Sequence, residues 1–125
     1  MKSFALPRNR RIKNSREFAS IYNRRIRAAD GHLLVWAAPN VLHRTRFGVS
    51  VSRKLGPSVR RSALKRLLRE AFRLSQHELP SDLDLILIPQ RSTAATAELV
   101  DYQRSLVKLA ARLARQLGHQ DGPAT

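Results

Sequence analysis

Residues 46–73, RFGVSVSRKLGPSVRRSALKRLLREAFR, place the tightest constraint on what this chain can fold into. Phe47, Val49 and Val51 alternate with Gly48, Ser50 and Ser52, the period of two of a strand that buries one face. Gly56-Pro57 breaks the extended run. Proline suits the first turn of a helix, where its missing N–H removes no intrahelical bond, and Ser58 is a further capping residue. The spacing predicts a helix that starts within a residue or two of Pro57. At about 100° per residue, Leu64, Leu67, Leu68 and Ala71 share one arc of the helical wheel, whereas Arg61, Lys65, Arg66, Arg69 and Arg73 fill most of the opposite side. Six basic residues between Arg60 and Arg73 face only Glu70, so ion pairs within the helix cannot balance them. An anionic partner accounts for the remaining charge.

The same imbalance marks the whole N-terminal half. The chain has 24 basic and 9 acidic residues, a net charge of +15; residues 1–69 hold 18 basic and 2 acidic side chains, against 6 and 7 in the rest. One anionic ligand surface is expected, built on the basic half. A length of 125 residues with 42% hydrophobic content suits one compact domain that buries about two thirds of the surface of its unfolded chain. The absence of cysteine removes disulfides, thiolate metal sites and cysteine nucleophiles together, and fits a reducing cytoplasm. The longest apolar run, residues 33–38, falls far short of the roughly 20 residues of a membrane-spanning helix. No signal-like apolar core follows the N-terminal charges. A soluble cytoplasmic protein without membrane contact is expected.

Taken in order, residues 1–13 form a basic arm with few apolar anchors, expected to be flexible, and read equally as a disordered basic tail or as an arm that orders on nucleic acid. Asn14 and Glu17 have the spacing of a capping box, and Phe18, Ile21, Tyr22 and Ile26 recur at helical spacing, which predicts a helix over residues 15–25. Asp30-Gly31 marks a turn before a strand over residues 32–38, with Leu34, Trp36 and Ala38 on one face. The short connection to the strand at Arg46 predicts antiparallel pairing of these two strands. Leu79-Pro80-Ser81 ends the basic helix, and residues 82–88, DLDLILI, read as a buried strand stopped by Pro89. An amphipathic helix over residues 96–117 covers the sheet, with Leu99, Leu106, Ala110, Leu113 and Leu117 on its inner side. Gly118 can end it, and residues 119–125 read as a flexible tail.

Chemistry borne by side chains finds little support. The four histidines, His32, His43, His77 and His119, lie in separate segments without metal-ligand spacing. Asp82 and Asp84 are explained by solvation at the start of a strand more cheaply than by paired-carboxylate catalysis. No phosphate-cradling glycine loop and no nucleophile motif is present. The aromatic residues are few, and core packing is the ordinary role for each. An exposed ring beside basic residues can instead stack on a base for about 1–3 kcal/mol, which singles out Phe18, Tyr22 and Trp36.

The central stretch, Arg46-Phe47-Gly48-Val49-Ser50-Val51-Ser52-Arg53-Lys54, then Gly56 to Val59, then Arg61-x-x-x-Lys65-Arg66-x-x-Arg69-Glu70-Ala71-Phe72-Arg73, resembles the bacterial ribonuclease P protein subunit. The basic residues from Arg8 to Lys13, the aromatic pair Phe18 and Tyr22, and the strand from Asp84 to Ile88 extend the resemblance over nearly the whole chain. It implies an α+β fold, an α/β sandwich with a central mixed sheet, about three helices and an unusual left-handed β-α-β crossover. It also implies a catalytic RNA partner that uses bound Mg²⁺ to remove the 5′ leader of precursor tRNA, with the metal held mainly by RNA and substrate. No obligate protein partner and no catalytic or metal-binding side chain in this chain is implied. Carried over by position, Phe18, Tyr22, Trp36, Ser50, Ser52, Arg53 and Lys54 line the leader cleft. Arg60, Arg61, Ser62, Lys65, Arg66, Arg69 and Arg73 face the catalytic RNA.

The family motif reads Arg-Asn-Arg where this chain has Arg61-Ser62-Ala63. Ser62 lacks the amide's donors and Ala63 lacks a guanidinium able to bind phosphate in bidentate fashion; Arg60, one residue earlier, is near enough to supply part of that charge, although its wheel position is toward the apolar side. Two other readings use the same basic face. One is a ribosomal or architectural RNA-binding protein with no cleavage partner. The other is a DNA-binding regulator whose basic helix enters a major groove, against which the flanking strands argue.

Overall fold

The structure, a computed structural model, describes residues 4–118. The tail expected at residues 119–125 lies outside the described residues. Three helices and four strands follow in the order α1 (Ser15–Asn23), β1 (Arg27–Ala29), β2 (Leu33–Pro39), β3 (Arg46–Val49), α2 (Ser58–Ser75), β4 (Leu83–Pro89) and α3 (Leu99–Gln116).

The strands form one mixed sheet in the order β1-β2-β4-β3. β2 pairs antiparallel with β1 and with β4, while β3 runs parallel to β4. The expected pairing of β2 with β3 is therefore corrected, because β4 lies between them. Its sequence explains its place. Leu83, Leu85 and Leu87 are buried on one face and Ile86 on the other, and a strand that is apolar on both sides must have layers over both and neighbours at both edges. β3, short and polar on one side, takes the edge. α2 forms the crossover between the parallel neighbours β3 and β4.

The two faces carry different layers. Leu33, Val35, Ala37, Phe47, Leu85 and Leu87 pack against Leu68, Ala71 and Phe72 of α2 and against Tyr102, Leu106, Leu109 and Leu113 of α3. Phe47 and Phe72 stack with ring centroids 4.2 Å apart. On the other face, Ile86 and Ala38 join Ile21 of α1 and Ile12 of the arm, with Phe18, Tyr22, Trp36 and Ile88 half-buried around them. α1 thus lies alone on its side of the sheet, and the helix pair α2 and α3 holds the main core.

Asp84 departs from the sequence reading. It is not a solvated residue at the start of a strand; it is buried, with Arg46 Nε and Nη2 donating to its two carboxylate oxygens at 2.9 and 2.7 Å and Asn40 Nδ2 donating at 2.7 Å. Register places Arg46 directly across from Asp84, so the pair locks β3 onto β4 where the parallel ladder begins.

The basic arm also differs from the expected flexible segment over its described residues. Ile12 is buried, and its N–H donates to the Phe47 carbonyl at 2.7 Å. Arg10 donates to the Thr45 carbonyl, Arg44 to the Asn9 carbonyl, Arg73 to the Phe4 carbonyl and Gln76 to the Ala5 carbonyl. The arm lies along the β3 edge of the sheet, with Arg11 bridged in parallel to Phe47. A single buried isoleucine gives a sequence no periodic signal, which hid this docking.

Candidate nucleic-acid interface

α1 begins where the sequence placed it. Asn14 Oδ1 accepts from the Arg16 N–H at 2.7 Å, satisfying one of the unpaired donors of the first turn. Glu17, expected to close a capping box, instead reaches Arg46, with Oε2 3.0 Å from Nη2. The helix stops at Asn23, two residues short of the expected end. Arg25 adopts φ 57°, the left-handed conformation that usually falls to glycine just beyond a helix.

Phe18 and Tyr22, one turn apart, both face the sheet with ring centroids 6.5 Å apart, and Tyr22 meets Trp36 of β2 edge-on at 5.1 Å. All three rings are half-buried, so each packs on the small core beneath α1 and keeps an open part. Phe18 reaches furthest toward β3 and covers Gly48. A cavity of about 290 Å³ opens there, lined by Arg11, Ile12 and Lys13 of the arm, Phe18, residues Phe47 to Val49, and Lys65 and Arg69 of α2. An aromatic ring, a stretch of β3 and four cations therefore share one groove.

A second recess of about 400 Å³ lies at the far end of α1, lined by Tyr22, Asn23, Arg25, Arg27 and Trp36. The Arg27 guanidinium sits over the Trp36 ring, 5.1 Å from its centroid, a cation–π contact. The two recesses are linked by the Phe18–Tyr22 contact. Arg11, Lys13, Arg25 and Arg27 were missed as site residues in the sequence. The basic run after the aromatic helix was the available signal for the last two.

The strand end contributes its expected residues in a less uniform way. Ser50 extends the ladder through its N–H to the Leu87 carbonyl at 3.0 Å. Ser52 Oγ accepts from the Lys54 N–H at 3.1 Å and so caps a short 3-10 turn, Arg53–Leu55. That turn is anchored by buried Leu55 against Leu64 and Ala94, and it leaves Arg53 and Lys54 exposed.

The cations of α2 divide in the same manner. Lys65 and Arg69 line the groove, and Arg60, Ser62 and Arg66 are exposed. Arg60 lays its stem over Gly56, so it does not sit on the apolar side where the wheel suggested. Arg61 donates from Nε to the Gly56 carbonyl at 3.1 Å, tying the helix to the preceding turn. Arg73 is bound in bidentate fashion by Glu70 and donates to the Phe4 carbonyl as well. The Arg73 hydrogen bonds hold the Glu70 carboxyl below its usual range. Arg73 thus holds the arm, and its charge is already offset.

The groove walls supply cations. Among the described residues no three His, Asp or Glu side chains gather in a way that could hold a metal ion; His32 Nε2 lies 4.0 Å from Asp101. Among the described residues these side chains form no seat for Mg²⁺, which the resemblance places mainly on the RNA and the substrate.

Residues 6–114 match the family model described as Ribonuclease P. The chain belongs to the ribonuclease P protein family. Among its relatives, the ribonuclease P protein component of Desulfovibrio desulfuricans is 37% identical over 124 residues, covering 98% of this chain and 94% of the relative. That of Thermotoga petrophila is 33% identical over 95 residues, covering 76% and 81%. The solved ribonuclease P protein of Thermotoga maritima superposes with a TM-score of 0.75 at 27% identity, over 82% of this chain and 96% of the other. The Staphylococcus aureus protein gives 0.71 at 30%, over 85% and 95%. The sandwich is therefore the ribonuclease P protein fold, and the chain is a ribonuclease P protein subunit acting in tRNA 5′ processing. Membership in this family sets aside the ribosomal and DNA-regulator readings of the basic face.

Proposed function

We propose that this subunit holds the single-stranded 5′ leader of precursor tRNA in the groove between α1, β3 and α2, while its outer α2 cations bind the catalytic RNA that carries the hydrolysis. The observation that supports this reading most is the convergence of Phe18, Gly48, Lys65 and Arg69 on one groove. A base can stack on the Phe18 ring, which is sequence-tolerant because every base has a π face. Lys65, Arg69, Arg11 and Lys13 neutralise the phosphates on either side. Gly48, buried beneath Phe18, leaves the room in which that ring lies over β3. Trp36 acts differently from Phe18, since Arg27 covers part of its ring and brings a cation to the same recess.

In this reading the exposed α2 residues Arg60 and Arg66 meet the RNA partner, Arg53 and Lys54 extend the leader path at the strand end, and magnesium belongs to that RNA and to the substrate. The side chains of this subunit bind and orient. Cytoplasmic location goes with the same reading; among the described residues no helix is long and apolar enough to cross a membrane. The test is cleavage of precursor tRNA at low magnesium by the catalytic RNA alone, by the protein alone, and by both together. Cleavage restored only by the combination supports the proposal. Magnesium-dependent cleavage by the RNA-free protein contradicts it.

A further inference from the structure

We propose that Glu17 is a positioning residue for the leader groove, acting through Arg46 to fix where α1 sets the Phe18 ring. This rests on the reading of Phe18 as a leader contact and adds a second group of residues behind it. α1 has nine residues, too few to be stable alone in water, and only Ile21 among them is fully buried. Ile21, with the half-buried Phe18 and Tyr22 beside it, anchors the helix by apolar contact, which is non-directional and does not by itself fix the helix rotation. A second attachment is supplied by Glu17, whose carboxylate meets Arg46 Nη2 at 3.0 Å.

Arg46 is a fixed post and not a mobile surface arginine. Its side chain is 15% exposed, it is held from below by both oxygens of Asp84, and Asp84 is held in turn by Asn40. Residues 46 and 48 of β3 share a face, so Glu17 on Arg46 and Phe18 over Gly48 are adjacent contacts made by consecutive helix residues on alternate strand residues. The line Asn40, Asp84, Arg46, Glu17 thus runs from the end of β2 across the starts of β4 and β3 to the residue next to the stacking ring. Glu17 is also an acidic residue on a surface otherwise arranged for RNA, where a carboxylate opposes phosphate binding. Its attachment to Arg46 explains its presence there. Because Glu17 is itself 40% exposed, the pair contributes little to global stability, and its effect falls on position.

The experiment uses the full chain, alone and assembled with the catalytic RNA, with Glu17→Ala, Glu17→Gln, Phe18→Ala and the double variant Glu17→Ala/Phe18→Ala. In the RNA-free protein, acrylamide quenching of Trp36, which touches Tyr22 of α1, reports the seating of the helix. Glu17→Ala is expected to change that quenching with little change in the unfolding midpoint, and Glu17→Gln, which keeps an acceptor for Arg46, to restore it. In the holoenzyme, Glu17→Ala is expected to raise KM for long-leader substrate by about three- to tenfold, a part of the stacking contribution. The rise should be absent for a one-nucleotide leader and absent when Phe18 is already alanine. Unchanged quenching, or a Glu17→Ala effect that persists in the Phe18→Ala background, overturns the proposal. Changed quenching with no leader effect from either Glu17→Ala or Phe18→Ala overturns the leader reading and supports the clamp.

Discussion

The Phe18 ring occupies the space that a side chain on Gly48 would fill: a Cβ at Gly48 would lie 2.4 Å from Phe18 Cζ. Atoms cannot approach so closely, and the ring tip is the part free to yield. Gly48→Ala is therefore expected to cost only about 1–2 kcal/mol of stability while displacing Phe18 from the groove. Urea unfolding and leader-dependent substrate binding, measured on the same variant, check both halves. Loss of stability without loss of leader discrimination would show that the ring's position is immaterial.

Asp84 is expected to be the most sensitive polar residue in the fold. Its hydrogen bonds raise the Arg46 guanidinium above its already high range, and both side chains are nearly buried, at 15% and 11% exposure. Asp84→Ala removes the bidentate partner of Arg46 and leaves it only the half-exposed Glu17, and should cost about 3–5 kcal/mol. A fall in the urea midpoint at unchanged m-value would measure it.

Acid stability should depend on Asp30. Burial pushes its carboxyl up, but the Leu33 and His32 N–H groups, the Ser105 hydroxyl and Lys108 together outweigh burial and hold it at about 2, against 3.8 for a free aspartate. The folded-state value lies below the unfolded one, so the stabilisation is fully present above about pH 4 and lost as pH falls through about 2. About 1–2 kcal/mol is expected to disappear across that window. Urea midpoints followed through it should be flatter in Asp30→Asn.

The α2 cations should separate by role. Lys65→Ala and Arg69→Ala are expected to make holoenzyme affinity for leader-bearing RNA less salt-dependent, and Arg66→Ala to do so for the catalytic RNA, since each lost phosphate contact removes about 0.7–0.9 from the log–log slope. Arg73→Ala, by contrast, should loosen the arm through the lost Phe4 contact and leave that slope nearly unchanged. Titrations at several salt concentrations distinguish the two groups.

Local periodicity made the helices legible. Leu64, Leu68 and Ala71 declared α2, and Phe18 with Tyr22 declared the inner face of α1, because each pattern lies within a few turns. What the sequence hid depends on competition between distant segments. β1, with only Arg27, Ala28 and Ala29, has no period to read. The central place of β4 follows from its burial on both faces, which a run of leucines and isoleucines does not distinguish from burial against a single neighbour. Asp84 and Arg46 are 38 residues apart, so the carboxylate looked solvated until its partner was placed. In the site, Gly48 read as one residue of a small polar strand face, whereas its function depends on Phe18 lying over it. Arg11 and Lys13 entered the groove only because buried Ile12 docks the arm.

The most direct test of the leader groove is the affinity of the Phe18→Ala holoenzyme for precursor tRNA with a single-stranded leader, measured beside its affinity for mature tRNA and its unfolding midpoint. Phe18 is half-buried, so some stability is lost with the ring in either case, and the comparison of the two RNAs decides. A loss of about 1–3 kcal/mol in binding, confined to the leader-bearing RNA, is the predicted result. Equal affinity changes for both RNAs, or none for either, would contradict the groove as the leader site and return Phe18 to a packing role alone.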